Sequence, residues 1–113
     1  MLELDKINHQ ALSAKIYIDI IDLTVKKTEE NLSKLNALNI FPVADGDTGT
    51  NILLTLRGGQ NAIHQMKTTN INELVHSFSQ ALIQHSRGNS GLILARYFMG
   101  FSNPIIKSSH FDL

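Results

Sequence analysis

Two aspartates separated by one glycine, Asp45 and Asp47, have the residue type and spacing of a metal site. They lie within the stretch NIFPVADGDTGTN, residues 39–51, shortly after a proline. A turned or extended backbone with this spacing can direct both carboxylates at one point. Such oxygen ligands suit a hard cation, above all Mg²⁺, which takes one or two carboxylates and completes its coordination with water and phosphate oxygens. The stretch is therefore a candidate magnesium site.

The residues around the aspartates fit that chemistry and also fit a simpler one. Gly46 and Gly49 can adopt positive φ, and hydroxyl and amide side chains follow at the start of the next helix. Those side chains are Thr48, Thr50 and Asn51. The alternative is a turn followed by an ordinary helix cap, and the sequence leaves it open.

Two well-known loop types are excluded. An EF-hand loop beginning at Asp45 would need glycine at its sixth position and glutamate at its twelfth, where Thr50 and Leu56 stand. A Walker loop is excluded because no glycine-rich run ends in lysine followed by serine or threonine.

A second polar segment, Arg87-Gly88-Asn89-Ser90-Gly91, also leads into a helix. The first amide groups of a helix and the positive end of its dipole attract anions, and glycine lets a phosphate approach the backbone. We expect Ser90 either to cap the helix or to bind a phosphate oxygen, and Arg87 to neutralise charge. A helix-linking loop with a capping serine would look similar, so this segment alone is weak support for a site.

The rest of the sequence predicts helices. Apolar residues from Ile7 to Val25 recur at alternating spacings of three and four, which predicts a first helix from about Asp5 to the KKTEE run. This stripe is widened by Leu12, Ile16, Ile20 and Leu23, so we expect the helix to be packed between neighbours. A short helix from Glu30 to about Leu38 should precede the first polar segment. A third helix follows it, and a fourth begins at Asn70 with a capping-box pattern and ends near His85. The run LILARYFMGF predicts a buried fifth helix, so we expect an all-α fold.

Composition bounds the possible functions. The 113 residues carry no cysteine and a formal net charge of zero, although residues 1–50 have eight acids and five bases. The basic residues are scattered, which disfavours nucleic-acid binding. No signal peptide and no run of about 20 apolar residues is present, so we expect no membrane span and a cytosolic protein.

Both polar segments together resemble one known family. LNALNIFPVADGDTGTNILLT, followed some thirty residues later by SRGNSGLIL, resembles the N-terminal DhaL-type nucleotide-binding domain of bacterial fatty acid kinases, a relative of the dihydroxyacetone kinase L subunit. The resemblance covers nearly the whole chain. It implies an antiparallel barrel of eight helices, of which residues 1–113 would hold about five as a partial domain.

The resemblance also implies a site and a reaction. ATP or ADP would be held through Mg²⁺, with Asp45 and Asp47 as metal ligands and Asn39 as a weaker candidate in place of a third aspartate. The phosphate-binding residues implied are Thr48, Asn51, Gly88, Asn89, Ser90 and Gly91. The reaction would be phosphoryl transfer to a carboxylate or hydroxyl acceptor, and a separate fatty-acid-binding protein would present an acyl chain.

Several alternatives remain at the level of the sequence. One is a dihydroxyacetone (glycerone) kinase L-like subunit, which the proline and Asn39 disfavour. Others are a catalytically inactive remnant and a plain helical interaction module. Because the complete domain is nearly twice as long, we expect the isolated chain to have negligible kinase activity. We also expect it either to form a homo-oligomer through LILARYFMGF and the stripe from Ile7 to Val25 or to be only partly ordered alone.

Overall fold

The computed structural model describes residues 3–38 and 46–109, and the side chains within 9–38 and 46–100. These ranges form five α-helices without a β-strand, so the predicted all-α class is confirmed. The helices are α1 (Glu3–Glu30), α2 (Leu32–Asn36), α3 (Thr48–His64), α4 (Ile71–Gln84) and α5 (Gly88–Ser109). The barrel and the additional helices implied by the family resemblance stay predictions.

Helix α3 is the central element, because it contacts each of the other four helices. Its glycines allow this close approach. A Cβ atom at Gly59 would lie 2.5 Å from Cε1 of Phe78 in α4, and one at Gly58 would meet the ring of His85. Gly59 is buried on the face of α3 that packs against α4.

The core is centred on the ring of Phe78, which is fully buried. Its centroid lies 6.1 Å from that of Tyr17 in α1 and 5.4 Å from that of Phe98 in α5, both with edge-to-face geometry. Burial raises the pKa of Tyr17 to about 12. Phe78 therefore joins three helices through apolar contact.

Polar contacts fix α1 against α3 along the edge of this core. Arg57 forms an ion pair with Glu29. One carboxylate oxygen of Asp22 accepts a hydrogen bond from Gln60 at 2.9 Å, and the same oxygen lies 2.6 Å from Nε2 of His64. Partial desolvation pushes the pKa of Asp22 upward, but the hydrogen bonds from His64 and Gln60 outweigh it, and the pKa is lowered overall. These pairs are half-exposed, so they stabilise the contact between the two helices only weakly.

Two predictions about burial were wrong in part. The narrow stripe of α1 is buried at Ala14, Ile21 and Val25, as its spacing predicts, but the wider apolar row is exposed. That row, called here the outer row of α1, consists of Leu12, Ile16, Ile20 and Leu23, each 48% to 55% exposed. A helix that has neighbours on one side buries one stripe of residues. Its other apolar residues are buried only when neighbours also stand on the opposite side.

Helix α5 is likewise less buried than predicted. Ala95 is fully buried, whereas Ile93 is 54% exposed and Tyr97 is 67% exposed. Helix α5 packs on α3 and α4 through one face. The apolar run LILARYFMGF is therefore buried on that face and exposed on the other. Within the described ranges, no helix is long and apolar enough to cross a membrane.

The boundaries of the short second helix also differ from the prediction. α2 begins at Leu32, not at Glu30, because Asn31 closes α1 by donating its side-chain amide to the carbonyl of Lys27 at 2.8 Å. α2 ends at Asn36, before Leu38.

The predicted cap at Asn70 is confirmed. Its side chain accepts hydrogen bonds from the amides of Asn72 and Glu73, at 2.9 and 3.3 Å. In a capping box the carboxylate of Glu73 would also bind the backbone amide of Asn70, but here the two are linked only through a third residue. Thr68 accepts from the amide of Asn70 and donates to the carboxylate of Glu73, so its hydroxyl stands between the two groups.

We expect Phe78→Ala to lower the free energy of unfolding by about 3–5 kcal/mol, because it removes a fully buried ring shared by three helices. Urea denaturation followed by circular dichroism measures the change. His76→Ala, an exposed position on the same helix, is the control and should change stability by less than about 0.5 kcal/mol. Equal effects of the two substitutions would contradict the central role of Phe78.

Candidate functional site

The predicted site residues fall into two groups. Asn39 and Asp45 lie outside the described residues, so their predicted metal-binding roles stay predictions. The others lie at the beginnings of α3 and α5: Asp47, Thr48, Asn51, Gly88, Asn89, Ser90 and Gly91.

Asp47 precedes the first residue of α3. Its carbonyl accepts the first backbone hydrogen bond of the helix, from the amide of Asn51 at 2.9 Å. Its side chain, however, makes no capping hydrogen bond, and its backbone has φ −119° and ψ 12°. A capping residue usually has β-region ψ, so Asp47 is not in the conformation typical of a cap.

The first turn of α3 receives its cap from elsewhere. Asn36, the last residue of α2, accepts a hydrogen bond from the amide of Thr50 at 2.9 Å. Its amide group also donates to the hydroxyl of Thr50 at 3.2 Å. The sequence pattern did not identify Asn36, because Asn36 and its partner Thr50 are fourteen residues apart.

The two glycines of the first segment behave differently. Gly46 has φ +74°, as predicted, whereas Gly49 lies within α3 and has no positive φ. Gly49 is needed for space: a Cβ there would lie 2.6 Å from Cβ of Leu35 and 3.0 Å from Oδ1 of Asn36. Its role is to let α2 approach the start of α3.

The second polar segment was predicted to be a loop before a helix, but from Gly88 onward it belongs to the helix itself. Residues from Gly88 onward form the first turn of α5, and the amide of Gly91 donates to the carbonyl of Arg87 at 3.0 Å. Gly88 has φ +62° at this helix start, a conformation that glycine adopts readily. Ser90 therefore lies inside the helix and does not precede it.

Ser90 connects the two segments. It is buried, and its hydroxyl lies 3.3 Å from the carbonyl oxygen of Thr48, to which it donates a hydrogen bond. Of the two roles considered for Ser90, the capping role is therefore wrong, and the phosphate-binding role stays a prediction. The hydroxyl links the beginning of α5 to the beginning of α3.

Thr55 provides a second connection, which the sequence analysis missed. Its hydroxyl is fully buried, donates to the carbonyl of Asn51 at 2.7 Å and accepts from the amide of Arg87 at 3.0 Å. A Cβ at Gly91 would collide with this hydroxyl. A buried hydroxyl residue one turn after Asn51 was the available signal, but threonine in a helix commonly bonds only to its own helix.

The remaining predicted residues complete one surface. The side chain of Asn51 is partly exposed and lies so close to Gly88 that any Cβ there would meet its Nδ2. Asn89 is exposed. The structure thus brings the first turns of α3 and α5 side by side, joined by Ser90 and Thr55.

Comparison with known proteins assigns a family to this arrangement. The model of the DAK2 domain matches residues 42–112, which include both polar segments. The chain belongs to the DAK2 domain family. Domains of this DhaL type bind nucleotides in general, and the resemblance seen in the sequence is confirmed at the level of the family.

Relatives of this DAK2 domain occur in bacteria. Protein YloV of Bacillus subtilis is 38% identical over 96 residues, and an uncharacterized protein of Staphylococcus aureus strain USA300 is 37% identical over 101 residues. The matches cover 85% and 89% of this chain but 17% and 18% of the relatives. The chain therefore spans less than a fifth of the length of these relatives.

The donors present suit a nucleotide with a magnesium ion. Asp47 offers a carboxylate, Asn51 an amide and Thr50 a hydroxyl at the start of one helix, where the partial charge favours anions. Gly88 lies against Asn51, and a side chain at residue 88 would collide with it. Within the described ranges no three His, Cys, Asp or Glu side chains cluster as a metal site, and Asp45 lies outside those ranges.

We expect Thr55→Val to lower the free energy of unfolding by about 1–3 kcal/mol, because it leaves the amide of Arg87, whose hydrogen bond to Thr55 is partly buried, without its acceptor. Thr28→Val is the matched control. Thr28 is also buried, but its hydroxyl donates only within its own helix, to the carbonyl of Thr24. Urea denaturation of both variants measures the difference, and an equal cost would show that the bridge to Arg87 contributes nothing.

Proposed function

We propose that this DAK2 domain binds ATP or ADP together with Mg²⁺ in the cytosol and serves phosphoryl transfer of the fatty acid kinase type. The observation that carries the proposal is the pairing of two helix beginnings by the buried hydroxyls of Ser90 and Thr55. This pairing places a carboxylate-bearing segment beside a glycine-bearing helix start. A metal-bound nucleotide requires both.

Each predicted residue then has a role. Asp47, together with Asp45 and more weakly Asn39, would coordinate the metal. Phosphate oxygens would be bound by the residues at the two helix starts: Thr48, Asn51, Gly88, Asn89, Ser90 and Gly91. Since Thr48 and Ser90 are buried and bonded to each other, they would act mainly through their backbone amides.

The chemistry needs positioning and charge stabilisation more than covalent participation by the protein. Bound Mg²⁺ would neutralise charge on the phosphate oxygens during transfer. The residues of this chain would hold the phosphates in a fixed orientation, and the helix dipoles would favour their negative charge. No side chain in the described ranges is assigned as a general base or nucleophile.

The acceptor proposed is a carboxylate, as in the fatty acid kinases, or a hydroxyl. A separate fatty-acid-binding protein would present the acyl chain. The DAK2 domain would thus supply the nucleotide, while the acceptor and the other parts of the pocket would come from outside residues 1–113.

The role of Asp47 is tested by Asp47→Asn, which keeps the size of the side chain and removes its charge. We expect the magnesium-dependent gain in ATP affinity to fall by at least about tenfold, since the metal loses a charged ligand. Calorimetric titration of ATP with and without Mg²⁺ measures that gain. Asp19→Asn, the same change at an exposed position on α1, is the control and should leave it unaltered.

Two results would contradict the assignment. Equal ATP affinity with and without Mg²⁺ in the wild type would exclude a metal-dependent nucleotide site in this chain. A magnesium effect that Asp19→Asn reduces as much as Asp47→Asn would show that overall charge, and not coordination, is responsible.

The outer row of α1 is the surface that we propose for homo-oligomer formation. The stripe from Ile7 to Val25, expected for this role from the sequence, is instead buried at Ala14, Ile21 and Val25. The outer row repeats at spacings of four, four and three residues, which presents a continuous apolar strip to a second copy.

We therefore expect the double substitution Ile16→Glu and Ile20→Glu to convert a self-associating chain into a monomer, because it places charges in the middle of the strip. Light scattering across a range of concentrations measures the mass. Leu38→Glu, at an apolar residue that is 45% exposed but outside the row, is the control. A wild-type chain that is monomeric throughout would contradict the proposal.

A further inference from the structure

The outer row of α1 lies on the side of that helix away from the core. The buried stripe with Ala14, Ile21 and Val25 belongs to the side that packs on α3 and α4, and at 3.6 residues per turn the outer row stands roughly half a turn away from it. The side chains of the outer row are 48% to 55% exposed, and they extend over roughly 17 Å at 1.5 Å per residue. A continuous apolar strip of this kind marks an interaction surface.

A groove continues the outer row towards α2. It has a volume of about 470 Å³ and lies between the last turns of α1 and helix α2. Leu23 and Leu35 give it an apolar lining, and Lys27 and Asn31 stand beside them. Because Leu23 belongs to both the outer row and the groove, a helix that lies along the row can place a side chain in the groove.

The charges beside the outer row alternate in sign. Lys15 and Asp19 lie on one flank of the row, four residues apart, and both are exposed. Among the residues that the structure describes, neither side chain forms an ion pair. The opposite flank carries the uncharged residues Ser13 and Thr24. The flank with Lys15 and Asp19 therefore decides which charges a second helix meets.

Two copies of α1 can lie along each other's outer row in two directions. In a parallel pair Lys15 meets the partner's Lys15, and Asp19 meets the partner's Asp19. In an antiparallel pair centred on the middle of the row, Leu12 lies opposite the partner's Leu23. Lys15 is then offset from the partner's Asp19 by only roughly 2 Å along the helix axis. Opposite charges across a helix interface favour association and like charges oppose it, so the charge pattern favours the antiparallel direction.

We propose that this chain forms an antiparallel dimer in which two α1 helices pack along their outer rows and Leu12 of each copy enters the groove of the other. The inference rests on the self-association proposed above for the outer row. A second copy fits because one surface carries the apolar strip, the groove and both charges, as a two-fold symmetric interface requires. The pairs between Lys15 and Asp19 occur twice and fix the direction.

Disulfide formation tests the direction, and the chain suits this test because it has no cysteine of its own. The variants Leu12→Cys and Leu23→Cys, one of them labelled with ¹⁵N, are mixed in equal amounts and equilibrated in a glutathione redox buffer. We expect the mixed disulfide to exceed the two homodisulfides about tenfold, because the two Cα atoms must lie within about 7 Å and the antiparallel pair brings residue 12 to residue 23. Mass spectrometry separates the three species by their label. In a control mixture of Leu12→Cys with Leu54→Cys, an exposed position on α3, the mixed species should not be enriched.

Charge exchange tests the flank. We expect Lys15→Glu to weaken dimerisation about tenfold, because it places a carboxylate near the partner's Asp19 at two symmetric positions. Asp19→Lys should weaken it similarly, and the double substitution should restore the wild-type dissociation constant to within about twofold. Sedimentation equilibrium measures these constants. Lys67→Glu, the same change of charge at an exposed position outside α1, is the control and should leave dimerisation unaltered.

The outcomes separate this inference from the proposals on which it builds. A wild-type chain that is monomeric throughout overturns both the proposed self-association and the antiparallel dimer. A dimer that Ile16→Glu and Ile20→Glu abolish, but whose cysteine variants form homodisulfides, overturns the antiparallel direction alone. Mixed disulfides in a dimer that Lys15→Glu does not weaken overturn the role of the charged flank. No nucleotide is used in these experiments, so their result does not depend on the proposed magnesium and ATP site.

Discussion

The close approach of other elements to α3 is the constraint on which the rest of this structure depends. Three glycines on this helix meet three different neighbours: Gly49 faces Leu35, Gly58 faces His85 and Gly59 faces Phe78. A side chain at any of these positions would push one neighbour away by steric overlap. Because α3 contacts every other described helix, such a shift would disturb the whole arrangement and not one pair of helices.

The candidate site is a direct consequence of this packing. Helix α5 can lie with its first turn against α3 because Gly88 and Gly91 have no side chains to collide with Asn51 and Thr55. Hydroxyl groups then satisfy the polar backbone atoms that the contact buries, through Thr55 to Arg87 and through Ser90 to Thr48. A buried amide without an acceptor would cost about 1–3 kcal/mol, so the close contact and the hydroxyls depend on each other.

Local features of this fold could be predicted from sequence, and features created by distant contacts could not. The helical class, the buried stripe of α1 and the cap at Asn70 follow from residue spacing over a few turns. The exposure of Ile20 and Tyr97 depends on which helices stand beside α1 and α5, and no local period encodes that. The bridging role of Thr55 likewise joins positions thirty-two residues apart. The family resemblance found both polar segments, but it did not reveal that hydroxyls of Ser90 and Thr55 connect them.

The two helix starts with an Asx residue show why such a sequence pattern alone cannot tell whether that residue caps its own helix. Asp47 and Asn70 both precede helices, and both are residue types that cap well. Asn70 caps its own helix because nothing else reaches the amides of Asn72 and Glu73 in the described structure. At α3 the amide of Thr50 is already bonded to Asn36, so the same kind of side chain has a different environment. The distinction is tertiary: it depends on an acceptor from α2, and that acceptor reaches α3 because residue 49 is glycine.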